Sequence, residues 1–162
     1  MGKAVVGLNQ PNETQNFLPF DGEWVLRDFA MLESVAIEEG TAISAQIVTN
    51  DVTGKYTKMG VENAAGSNFV GILAEAIRST DDDYATAFKA KSIWVPISRD
   101  SRAYFAVGAG TFTAADVART VEIHSDSKSL AVDTKGKGAT IVAYTTATTG
   151  VCAFNLPETE TA

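Results

Sequence analysis

One histidine and one cysteine are the scarcest reactive groups in this chain of 162 residues. Catalysis by a serine or cysteine nucleophile needs a neighbouring base, and histidine is the side chain that most often serves. His124 ends a stretch in which Val121 and Ile123 alternate with polar residues, so its imidazole is expected to face solvent. No nucleophile-elbow spacing surrounds the nearby serines, Ser125, Ser127 and Ser129. The pattern therefore predicts a surface histidine and a protein that is not an enzyme.

Cys152 stands in an apolar stretch and shares one face of a predicted strand with Phe154. This pattern predicts a small core residue, and a buried thiol resists ionisation and is chemically inert. A single cysteine cannot form a disulfide within the chain. One cysteine and one histidine also cannot supply the four ligands of a structural zinc site.

Carboxylate and glycine clusters are the remaining candidates for binding ions or phosphate. Asp81, Asp82 and Asp83 concentrate carboxylate oxygens, but the residue spacing of a calcium loop is missing. Residues 108–110 lack the third glycine of a dinucleotide loop, and residues 136–138 lack the Lys-Ser/Thr pair of a phosphate loop. Both glycine clusters are predicted to be turns, and we expect no metal and no cofactor.

Aromatic residues leave one binding function open. A sugar could stack on a platform of exposed rings, although isolated aromatics on amphipathic strands are more often core or interface residues. Carboxylates that hydrolyse glycosides can converge from distant strands, so their spacing in the sequence does not exclude them. A glycan-binding module is therefore an alternative, with a platform made from Trp24, Phe88, Trp94 and Tyr104.

Charge and hydropathy narrow the class of partner. The formal net charge is −7, and nucleic-acid binding depends on basic side chains that displace counterions, so DNA and RNA are poor candidates. The apolar run near the N-terminus, residues 4–8, is too short for a signal-peptide core or a membrane span. We expect synthesis in the cytoplasm and no membrane partner. The 45% hydrophobic content suits one packed domain.

The elements that must position these residues are mostly strands. Short stretches rich in Val, Ile, Thr and Phe are separated by Gly, Asp and Asn, which is typical of strands and turns. One short helix is predicted at Thr113, which can cap the helix while Asp116 occupies the capping-box position. The predicted strands are 24–29, 34–37, 42–49, 55–59, 69–76, 85–90, 93–97, 103–107, 121–124, 130–132, 140–145 and 151–155.

The two ends of the chain differ from this β-rich middle. Residues 1–20 are rich in Asn, Gln and Pro and show no sustained periodicity, so they are predicted to be an N-terminal arm. The β-rich domain covers residues 21–156, and a frayed tail covers residues 157–162. Apolar residues in the arm could anchor it in a groove of a partner, namely Val5, Val6, Leu8, Phe17, Leu18 and Phe20. Packing of the arm on its own domain as a first strand is the alternative.

Five segments of the chain resemble the head decoration, or cement, proteins of tailed bacteriophages. Their order along the chain carries the resemblance, and they read SVAIEEGTA (34–42), FVGILAEA (69–76), AVGAG (106–110), DVARTV (116–121) and LAVDTKGKG (130–138). The resemblance covers roughly residues 21–156. It implies a mainly β fold, a compact β-barrel or sandwich of the β-tulip type, with no catalytic residues.

The same resemblance implies a function and partners. Such a protein binds the outside of an assembled capsid in the virion, commonly as a homotrimer, and stabilises the shell by bridging subunits of the major capsid protein. Another virion β-protein, such as a tail-tube subunit or a fibre module, is the alternative within virions.

Overall fold

The computed structural model describes residues 16–46, 55–58, 69–98 and 100–154. This part of the chain is mainly β, which confirms the fold class predicted from the alternating sequence pattern. The strands are β1 (Leu18–Asp21), β2 (Trp24–Met31), β3 (Ala42–Gln46), β4 (Lys55–Lys58), β5 (Phe69–Leu73), β6 (Lys89–Pro96), β7 (Arg102–Ala109), β8 (Thr120–Ile123), β9 (Leu130–Lys135), β10 (Ala139–Thr146) and β11 (Thr149–Phe154).

The first sheet contains six strands in the order β1-β7-β11-β10-β8-β9. It curls until β9 also pairs in parallel with β7, through Val107 opposite Leu130, so that five of its strands form a closed ring. Inward residues of this ring are buried and apolar, among them Phe105, Ile141 and Cys152. Closure covers the strand edges, which otherwise present unpaired backbone groups.

The second sheet is a closed barrel in the order β2-β4-β3-β5-β6. Its longest pairing joins β2 to β6 over eight residues, from Trp24 opposite Pro96 to Met31 opposite Lys89. One face of these strands fills the barrel interior with Met31, Ile93 and other aliphatic residues. The loops contribute Ile37 and Ile77, which form an isolated bridge to each other and also lie in this core.

The two sheets share the larger of the two hydrophobic cores. Phe69 lies on the outer face of the second sheet and stacks on Phe154 of the first, with ring centroids 4.6 Å apart. Phe154 in turn meets Phe17 edge to face at 4.9 Å. The indole of Trp24 donates hydrogen bonds to the carbonyl oxygens of Asp21 and Arg102, which fixes β2 beside β7. The molecule is therefore a sandwich-like pair of curved sheets.

The predicted short helix is present as a single 3-10 turn, Ala114–Asp116. The Thr113 hydroxyl accepts from the Ala115 amide at 3.2 Å, and the Asp116 carboxylate accepts from the Thr113 amide at 2.8 Å. Both halves of the predicted capping box are thus formed.

Two strand predictions are wrong. Residues 34–37 form no strand, because Ser34 lies in a turn with a φ of +57° and only Ile37 forms an isolated bridge. Residues 85–88 lie outside any strand, and β6 begins at Lys89 and runs without a break through the two segments predicted separately. The strand β1 lies inside the segment predicted to be an arm.

A buried lysine ties the turns of the second sheet together. Lys89 is only 6% exposed, and its Nζ donates to the carbonyl oxygens of Leu32 at 3.1 Å and Tyr84 at 2.8 Å. Burial lowers the pKa of this amine below its ordinary value. The ammonium also lies 5.7 Å from the centre of the Tyr84 ring. Lys89 therefore satisfies carbonyl groups that strand pairing leaves open.

Replacing Lys89 by Met keeps the stem of the side chain but removes the ammonium donor to the Leu32 oxygen and one of the donors to the Tyr84 oxygen, which also accepts from the Ser34 amide. We expect the free energy of unfolding to fall by about 1–3 kcal/mol, the usual loss for unsatisfied buried polar groups. Urea denaturation measures this, with Lys91→Met as the control because Lys91 only pairs with the half-exposed Asp83. Equal losses in the two variants would contradict a special role for Lys89.

Replacing Phe154 by Ala removes the ring that joins Phe17 to Phe69 across the two sheets. We expect the free energy of unfolding to fall by about 3–5 kcal/mol. The cavity cannot collapse, because Phe17 directly precedes β1 of the first sheet and Phe69 belongs to the second sheet. Thermal and urea unfolding measure the loss, with Phe154→Leu as a milder variant that keeps the fold. Leu26→Ala, at a side chain 50% exposed, should lose less than about 1 kcal/mol.

Candidate functional site

A row of apolar side chains crosses the outside of the first sheet. Leu18 of β1 lies opposite Tyr104 of β7, Tyr104 lies opposite Val151 of β11, and Val151 lies opposite Ala143 of β10. Residues opposite one another in paired strands point to the same face. The neighbouring residues along β7 and β11 point inward and are fully buried. We call Leu18, Phe20, Tyr104, Val151 and Ala143 the outer apolar face.

An aromatic stack is the most prominent part of this face. The rings of Phe20 and Tyr104 are nearly parallel, with an interplanar angle of 12° and centroids 4.1 Å apart. Phe20 is 39% exposed, and the other four residues of the face are half-buried. Contiguous exposed apolar surface on a folded protein typically marks a contact with another protein or a ligand.

The edge beside this face is poorly suited to strand addition. β1 has four residues, and Pro19 within it has no amide hydrogen to donate. Short edge strands that contain proline discourage pairing with a further strand. A partner is therefore expected to pack on the side chains of the outer apolar face more readily than on the edge of β1.

The six predicted arm anchors fall into three groups. Val5, Val6 and Leu8 lie outside the described residues. Phe17 is 2% exposed within the shared core, so its ring serves the domain itself and is closed to a partner. Leu18 and Phe20 belong to β1 and lie on the outer apolar face. The described end of the arm thus packs on its own domain as a first strand, which was the alternative reading of the sequence.

Cys152 is a buried core residue, as the sequence predicts. It lies opposite Ala103 on one neighbouring strand and Ile141 on the other, all three fully buried. Burial raises the pKa of its thiol far above the ordinary value, although the charge of Arg102 acts weakly in the other direction. A thiol in this environment remains protonated and does not act as a nucleophile.

His124 is half-buried and lies on the less buried side of the alternation with Val121 and Ile123. Its imidazole packs over Gly108, where a Cβ would come within 2.8 Å of the ring. Only a glycine on β7 permits this approach. The nearby Ser129 hydroxyl donates to the Asp126 carboxylate at 2.9 Å, which orders the turn between β8 and β9. The Ser129 hydroxyl therefore stabilises this turn through its bond to the Asp126 carboxylate.

The four aromatics considered for a sugar platform lie in different places. Trp24 and Trp94 are half-buried and pack against the shared core. Phe88 is 43% exposed and precedes β6 in the second sheet. Tyr104 lies on the outer apolar face of the first sheet. The structure therefore does not assemble these four rings into one surface.

An acidic cleft of about 600 Å³ lies beside β6. Asp83 pairs with Lys91 at 3.1 Å, the Asp81 carboxylate accepts from the Arg78 amide at 2.8 Å, and the Glu75 carboxylate accepts from the Ser92 amide at 2.9 Å. These three acids therefore already have partners. Among the described residues, no three His, Cys, Asp or Glu side chains are grouped so that they could hold a metal ion. The cleft is lined by Glu39, Ala74, Glu75, Ala76, Arg78, Asp81, Asp82, Asp83 and Lys91.

Comparison with known proteins gives no relative to which this site could be matched. Protein-family models, curated proteins and solved structures were compared with the chain, and none of them matches. Within the part of the chain that the structure describes, no helix has the length and hydrophobicity needed to cross a bilayer.

The buried thiol gives a direct chemical test of the core. In the native protein, we expect Cys152 to react with a thiol reagent only as fast as the chain opens, because its sulfur is protonated and enclosed. The reaction can be followed by absorbance with and without denaturant. Fast labelling of the folded protein at neutral pH, comparable with that of the denatured chain, would contradict the assigned burial.

Proposed function

We propose that this chain is a structural protein of a phage virion, which binds the outer surface of the assembled capsid and bridges neighbouring subunits of the major capsid protein. The observation that carries the proposal is the outer apolar face, where the exposed ring of Phe20 stacks on the half-buried ring of Tyr104. Aromatic residues of this kind are enriched where proteins bind one another.

The architecture supports a mechanical role for the protein. Two closed sheets share a core, so a load applied at one sheet is passed to the other through packed side chains that deform little. Cys152 is buried, and the Ser129 hydroxyl is hydrogen-bonded to the Asp126 carboxylate, so both groups serve the fold. Both features suit a protein whose function is to bind and stabilise.

Stabilisation of the shell follows from mass action. A protein that binds the expanded capsid lattice but not the separated subunits shifts the equilibrium toward the assembled lattice. Each bound copy contributes its binding free energy to the shell, and contacts with two subunits at once make its loss slower. Association of copies on the capsid, as a trimer, would add contacts between neighbours and is part of the proposal.

A glycan-binding module is the second candidate. The exposed ring of Phe20 could stack on a sugar, and this one observation favours it. Because a sugar site also needs convergent polar groups, binding to a glycan panel at micromolar protein would separate this candidate from capsid binding.

The test uses capsids, lacking this protein, of the phage that encodes the chain. In co-sedimentation, we expect the wild-type protein to bind and Phe20→Asp to bind at least about tenfold more weakly, because the charge must be desolvated against an apolar partner. Circular dichroism checks that the variant is folded.

Two controls accompany this experiment. Leu26→Asp places the same charge on an exposed residue of the second sheet, and His124→Ala removes the single histidine. Both should bind as the wild type does. Absence of wild-type binding would end the proposal, and equal losses in Phe20→Asp and Leu26→Asp would show that the outer apolar face is not the contact.

A further inference from the structure

Three segments of the chain meet at the carboxylate of Glu38. The side-chain amide of Asn16, just before β1, donates to Glu38 Oε1 at 3.1 Å and to the backbone oxygen of Glu39 at 2.7 Å. From the opposite side, Lys128 Nζ lies 3.2 Å from Glu38 Oε2. Glu38 belongs to the turn before β3, and Lys128 to the loop between β8 and β9. The Glu38 carboxylate therefore links the residue pair before β1, the turn before β3 and the loop between β8 and β9.

Backbone hydrogen bonds surround this carboxylate. The Phe17 amide donates to the Gly40 oxygen at 3.1 Å, and the Ala42 amide donates to the Ser127 oxygen at 2.8 Å. Gly40 has a φ of +85°, and a Cβ there would lie 2.6 Å from the Cβ of Asn16. The residues before β1, the turn before β3 and the loop between β8 and β9 are thus in direct contact at this junction.

The charges around Glu38 favour its ionised form. The hydrogen bond from Asn16 and the contact with Lys128 lower the pKa of the carboxyl below 4.5, and the nearby Asp126 opposes this in part. Glu39 and Arg78 line the adjacent cleft with Glu38. Because the pKa is lowered in the folded state, the stabilisation is present above pH 4.5 and is lost as the pH falls through the lowered value.

We propose that Glu38 is a charge-dependent latch, which holds Asn16 and the Phe17 amide at the junction of the two sheets. The latch opens locally at these groups when the Glu38 carboxylate is neutralised, while the Phe17 ring stays in the shared core. This inference is independent of capsid binding.

The local character of the opening follows from the magnitudes. The Glu38 side chain is 66% exposed in its pair with Lys128, and losing an exposed pair changes an opening equilibrium by about fivefold at most. A change of this size cannot unfold two packed cores. It is large enough to change the local opening of the hydrogen bonds beside the pair. The latch therefore governs how firmly Asn16 and the Phe17 amide are held at the junction.

Native-state hydrogen exchange tests the latch at three backbone amides. Phe17 and Ala42 report on the junction, and Ile93, fully buried on β6, reports on the core of the second sheet. In Glu38→Gln at pH 7, we expect Phe17 to exchange about threefold to fivefold faster than in the wild type, with a smaller change at Ala42 and none at Ile93. Lys128→Met should also accelerate exchange of the Phe17 amide. In a double variant with Glu38→Gln, it should add little further acceleration.

The matched control is Glu39→Gln. This change removes a carboxylate from the same turn but keeps the contact with Asn16, which uses the Glu39 backbone oxygen. In this control, the Phe17 amide should exchange at the wild-type rate. Between pH 6 and about pH 3, the wild type should lose its extra protection at Phe17, after correction for intrinsic exchange, whereas Glu38→Gln should show no such loss.

Two results would overturn the proposal. If Glu38→Gln and Glu39→Gln behave alike at Phe17, the Glu38 carboxylate is not the latch. If Glu38→Gln accelerates exchange at Ile93 as much as at Phe17, its effect is a general loss of stability and the local opening does not exist.

Discussion

The contact between Phe69, Phe154 and Phe17 is the interaction on which the rest of the structure depends. Each closed sheet buries its own interior, but these rings place residues from both sheets in a single core. Aromatic rings bury large apolar areas, and edge-to-face and offset arrangements add specificity to that burial. Because the rings come from β5, from β11 and from the residue before β1, they fix the beginning of β1 and the two sheets in one arrangement.

The outer apolar face exists because of this inner contact. Side chains alternate along a strand, so placing Phe17 in the core turns Leu18 outward, and placing Ala103 and Cys152 inward turns Tyr104 and Val151 outward. A shift of one residue in the pairing of β1 would exchange the two sets. The pairing register of these strands therefore determines both which side chains form the outer apolar face and which enter the shared core.

Much of the fold could be predicted from the sequence, because stretches rich in Val, Ile, Thr and Phe are separated by Gly, Asp and Asn. The Val121–Ile123 alternation and the Thr113–Asp116 capping box are both present as expected. The β1 strand was missed because Pro19 and the polar residues before it hide a pattern of only four residues. The close contact between His124 and Gly108 could not be predicted either, because Gly108 comes from a strand that is distant in the chain.

The candidate site was less predictable than the fold. Phe20 and Leu18 were identified as anchors, but the sequence alone could not place them on a face completed by Tyr104 and Val151. That face requires strands that are far apart in the chain to become neighbours. Pairing of this kind is fixed by tertiary packing, and local residue patterns carry little information about it.

The order of the strands has a consequence for synthesis of the chain. The second sheet, a closed barrel, is built wholly from β2 to β6. The first sheet pairs β1 with β7 and also needs β11, which ends at Phe154. On the ribosome, the barrel can fold while the first sheet still lacks most of its strands. β1 must therefore wait for β7, and the Phe17 ring must wait for Phe154 of β11, before they are buried. Long-range pairing of this kind slows folding and leaves an apolar segment exposed in the meantime.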